Sequence, residues 1–75
     1  MSFQGRPTED LIRVAAAGGG FRLDAAGRPT DDLVAIAAAA SEWGVPLVFA
    51  GMDGRPTDDL VMIADAGEGN VVFEG

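Results

Sequence analysis

Carboxylates are the side chains best placed to do chemistry in this 75-residue chain, and six of the twelve stand in three pairs. Each pair follows a threonine: Glu9-Asp10 after Thr8, Asp31-Asp32 after Thr30, and Asp58-Asp59 after Thr57. Asp24 and Asp53 add a carboxylate shortly before the second and third pairs. Calcium and magnesium take oxygen ligands from such clusters. A small-ligand or divalent-cation protein using the acidic loops before each helix is therefore one of the two functional classes that the sequence supports. The stretch "MDGRPTDD" lacks the ligand spacing of an EF-hand loop, and acids in a first helical turn are explained by the helix dipole alone. The expectation is no metal and no other cofactor.

Other chemistry has less to stand on. The chain has no histidine, cysteine or tyrosine, and all five of its basic residues are arginine. That removes the usual general base at neutral pH, the thiolate nucleophile and the P-loop lysine. Ser2 and Ser41 have no histidine partner. Paired carboxylates can transfer protons, but only within a cleft, and a fold this small offers a shallow groove. The "GGGF" run at positions 18–21 closes a helix instead of opening one, so it is no dinucleotide fingerprint. A phosphate beside Arg6, Arg28 or Arg55 would meet two carboxylates at each helix start. The chain is expected not to be an enzyme. Its net charge of −7 opposes binding to nucleic acid or to an anionic membrane. No apolar run reaches the ~18 residues of a membrane span, and no basic stretch leads into an apolar one at Met1–Gln4. The expected location is cytoplasmic.

The elements that position these residues come from a repeat. "GRPTEDL" begins at Gly5, and "GRPTDDL" begins at Gly27 and again at Gly54. The likeness continues through "LIRVAAAG", "LVAIAAAA" and "LVMIADAG". Proline opens a helix without needing its missing donor, and Thr8, Thr30 and Thr57 read as N-caps. Asp10, Asp32 and Asp59 suit the positive end of the helix dipole. Leu33, Ile36, Ala37 and Ala40 then form an apolar stripe at helical spacing. Between helices, "FRLDA" (Phe21–Ala25), "VPLVFA" (Val45–Ala50) and "NVVFE" (Asn70–Glu74) read as strands bounded by glycine. "MSFQ" matches "VVFE" and predicts a further strand carrying Phe3.

These readings predict one domain over residues 1–75, built from three βα repeats. Its fold class is α/β: a short, solenoid-like, two-layer fold with four parallel strands in sequential order and three helices on one face, because parallel crossovers keep one hand. Phe21, Leu23, Leu47, Phe49, Val71 and Phe73 should face the helices. Arg22, Asp24, Val48, Ala50, Val72 and Glu74 should lie on a bare face. Arg6, Arg28 and Arg55 should line up near the acids of adjacent copies as a charge ladder. Trp43 is expected to close the core over the second strand. Copies this alike fit a recent duplication or a designed sequence.

A solenoid needs polar caps, and none is visible here, so the outer strands would present unpaired backbone groups. The leading expectation is a non-enzymatic structural or interaction module that self-associates through sheet edges or the bare face, with Phe3 included in the contact. A twofold dimer ranks first and a head-to-tail ring or filament second.

Overall fold

A computed structural model describes residues 6–75 of the chain. Proline starts each helix. The carbonyl of Pro7 accepts the N–H of Asp10 at 3.0 Å and of Leu11 at 3.2 Å, and Pro29 and Pro56 do the same for Asp32-Leu33 and Asp59-Leu60. From these starts run α1 (Thr8–Ala16), α2 (Thr30–Ser41) and α3 (Thr57–Gly67). The β-branched and aromatic runs between and after them form β1 (Phe21–Asp24), β2 (Leu47–Ala50) and β3 (Val71–Phe73). All three are shorter than their sequence runs suggest.

The strands make one parallel sheet in the order β1-β2-β3. Its register aligns Phe21 with Leu47 and Val71, Arg22 with Val48 and Val72, and Leu23 with Phe49 and Phe73. The described chain is thus α/β, with three helices and a three-stranded parallel sheet. The expected strand over Met1–Gln4, and Phe3 on it, lie outside the described residues. Among the described residues, no helix is long and apolar enough to cross a membrane.

The core lies between the helices and one side of the sheet. Leu11, Ala15, Leu33, Ile36, Ala37, Ala40 and Ile63 come from the helices, and Phe21, Leu23, Leu47 and Phe49 from the strands. Fully burying each large apolar side chain contributes about 1.5–3 kcal/mol. No polar or charged residue is buried among the described ones. Helix α1 packs on α2, and α2 on α3. Alanine lets them approach closely: a Cβ placed on Gly67 of α3 would stand 3.5 Å from the Cβ of Ala37 on α2.

The loops between strand and helix differ by one residue, and Gly51 absorbs the difference. It adopts φ +74°, and a Cβ there would press on Asp24 Oδ1 at 2.9 Å and on the Cβ of Ala26 at 3.0 Å. That places Ala25 and Met52 at equivalent buried positions, their carbonyls accepting the N–H of Arg28 and Arg55 at 3.0 and 3.2 Å.

Two expectations change. Trp43 does not close the core: it is 63% exposed, with its indole N–H donating to the carbonyl of Ala16 at 2.5 Å. Helix α2 ends at Ser41, so Trp43 already stands in the turn, where the last carbonyls of α1 need a donor. The threonines do not cap their own helices either. The capping position belongs to Pro7, Pro29 and Pro56, and none of the three helices has a side-chain cap. Each threonine is the first helical residue, and its hydroxyl serves another repeat.

Candidate interaction surfaces

The "GRPT" joints of successive repeats are tied by one recurring arrangement. Thr8 Oγ1 donates to Asp32 Oδ2 at 3.0 Å and accepts from Arg28 Nη1 at 2.9 Å. One repeat on, Thr30 Oγ1 donates to Asp59 Oδ2 at 3.1 Å and accepts from Arg55 Nη1 at 2.9 Å. The arginine and second acid of the second and third repeats thus grip the threonine of the preceding one. The other guanidinium nitrogen reaches back to main chain: Arg28 Nη2 donates to the carbonyl of Arg6 at 2.6 Å, and Arg55 Nη2 donates to those of Ala25 and Arg28 at 2.6 and 2.5 Å. The expected ladder of arginines beside the acids of adjacent copies changes here: the arginine and acid that meet at each hydroxyl belong to one repeat, and the threonine that joins them comes from the repeat before.

This ladder has two open positions among the described residues. Thr57 is exposed and its hydroxyl has no partner, whereas Thr8 and Thr30 are half-buried and fully engaged. Asp10 stands where Asp32 and Asp59 stand in their repeats, with no threonine hydroxyl to accept from. Arg6 is exposed, while Arg28 and Arg55 are half-buried. The remaining acids do other work or face solvent. Asp24 accepts the N–H of Ala26 at 3.2 Å, and Glu9, Asp31, Asp53 and Asp58 are exposed. Among the described residues, no group of three His, Cys, Asp or Glu side chains is arranged to hold a metal ion.

Of the residues expected on the bare face, Arg22, Val72 and Glu74 are exposed, and Asp24, Val48 and Ala50 are half-buried. Arg22, Val48 and Val72 form one cross-strand row. Arg22 Nη1 meets Glu74 Oε1 at 2.5 Å, spanning β2 from β1 to the residue after β3. Both side chains are about half exposed, so this ion pair contributes about 0.2–1 kcal/mol. Phe3, assigned to the same contact surface from sequence, lies outside the described residues.

A further surface was not singled out from sequence. Leu11, Ile12 and Ala15 of α1 correspond by repeat to Leu33, Val34 and Ala37 of α2, and to Leu60, Val61 and Ala64 of α3. In the first two copies the leucine and alanine are fully buried and the middle residue is half-buried. In the third, Leu60 is only half-buried, Val61 is 59% exposed and Ala64 is exposed. Beside them lie half-buried Phe73 and the buried Met52, which line a shallow groove with Asp53 and Glu74. The repeat alignment held the signal, but only the packing shows which copy goes uncovered. No family model, curated protein or solved structure matches this chain.

Proposed function

We propose that the chain is a solenoid-like βα-repeat interaction module that works by contact and not by catalysis, and that its partner is another copy of itself. The observation that carries this reading is the apolar exposure along α3 and β3, where Val61, Met62 and Val72 are 59%, 50% and 54% exposed. In a stack of repeats each unit buries its flanks on its neighbours, and an outermost unit is kept soluble by a polar outer face. The flank of α3 is apolar instead. The joints point the same way: the Thr–Asp–Arg arrangement is a device for binding one repeat to the next, and its carboxylates and guanidiniums are occupied by that task. The bare sheet face offers a second contact area, and the weak Arg22–Glu74 pair across it can rearrange at little cost.

Size-exclusion chromatography with light scattering tests the reading, with circular dichroism to report folding. The expected result is a molar mass above the 7.7 kDa of one chain, rising with concentration through the micromolar range. A folded species that stays at 7.7 kDa throughout overturns it.

A further inference from the structure

The contact between successive repeats has two unlike halves. The forward half is the leucine, the Val/Ile and the alanine on one flank of a helix, together with the threonine at its start. The backward half is the arginine and second acid of the next joint, together with the opposite flank of the next helix. Ala37 on the forward flank of α2 against Gly67 on the backward flank of α3 shows the two halves touching. Each half is used twice inside the chain, in α1 on α2 and α2 on α3. Each also occurs once more, with its apolar residues exposed or half-buried. The forward half of α3 leaves Leu60, Val61, Ala64 and Thr57 open, as described above. The backward half of α1 presents Arg6, Asp10, Arg13, Val14 and Ala17, which line an open groove. Val14 is only half-buried there, although its counterparts Ile36 and Ile63 are fully buried. Ala17 is exposed, although Ala39 and Ala66 are half-buried.

From this we infer that two copies of the chain associate head to tail, with α1 of one seated on α3 of the other and Thr57 Oγ1 donating to Asp10 as Thr8 does to Asp32. The inference rests on the self-association proposed above and specifies its surfaces. It is a heterologous contact between unlike patches, in contrast to an isologous one that pairs a patch with itself. The internal packing argues for it directly, since the two open flanks are the complementary sides of a contact this chain already makes twice. Pairing α3 with α3 would leave Asp10 without a threonine donor.

The test uses one variant blocked at each flank. Ala64→Arg closes the forward flank and Ala17→Arg the backward flank, and both alanines are exposed. Each variant alone should run as a 7.7 kDa monomer, and an equimolar mixture should run at twice that mass, because each supplies the flank the other lacks. Association of the wild type with no gain of mass on mixing overturns the head-to-tail contact while leaving self-association standing. So does a result in which only Ala64→Arg dissociates. A monomeric wild type removes self-association itself. If circular dichroism shows either variant unfolded, Val61→Lys and Arg13→Glu replace them at other exposed positions of the same flanks, with the same outcomes.

Discussion

Valine in place of threonine at each of the three joints should have unequal effects. The substitution keeps the β-branched shape and removes only the hydroxyl. At Thr8 and Thr30 that hydroxyl makes two hydrogen bonds, each to an ionised partner, at 2.9–3.1 Å. Hydrogen bonds to charged groups contribute about 1.5–3 kcal/mol, and the released groups are part-buried and regain some water, so the loss per site is about 1.5–3 kcal/mol in total. Arg55 keeps its two main-chain bonds through Nη2, while its Nε is already buried without a partner among the described residues. For a chain of this size each kcal/mol moves Tm by roughly 4–8 °C, so Thr8→Val and Thr30→Val should lower it by about 6–24 °C. Thr57→Val removes a hydroxyl with no partner among the described residues and should stay within about 0.5 kcal/mol of the parent. Thermal unfolding followed by circular dichroism, at concentrations low enough to suppress association, reads all three. Were the threonines helix caps, each would lose about 1 kcal/mol alike. Equal losses at the three positions would refute the cross-repeat arrangement.

Two other outcomes check the packing. Gly20 precedes β1, and a Cβ there would stand 2.5 Å from the carbonyl oxygen of Pro46, so Gly20→Ala should destabilise by about 1–3 kcal/mol in urea unfolding as the strand starts are pushed apart. Trp43, exposed over the end of α1, should fluoresce close to the wavelength of indole in water and be quenched readily by acrylamide; a blue-shifted, protected emission would contradict its placement.

Much of the scaffold was legible in the chain because it is encoded locally. Proline followed by threonine and two acids, then leucine with an apolar stripe, describes the start and buried side of a helix within one turn or two. The alternation in "FRLD" separates Phe21 and Leu23 from Arg22 and Asp24 with no reference to the rest of the fold. The strands came out shorter than their runs, because pairing ends where the chain turns away from its neighbour: Val45 and Pro46 read as strand but precede the ladder that begins at Leu47.

The local pattern could not reveal the partner of a side chain that bonds across repeats. A threonine hydroxyl at a helix start can serve the N–H groups ahead of it or a carboxylate 24 residues away, and only the stacking of one joint on the next decides for Asp32. Met52 reads as a loop residue until the extra residue at Gly51 brings it to the buried position held by Ala25. Leu33 and Leu60 are the same letter in the same heptapeptide, yet one is sealed and the other half open. Sequence determined the units, since each is set by contacts between residues a few positions apart. Tertiary structure decided what joins them and which flanks stay bare, since burial depends on the neighbour that packs alongside.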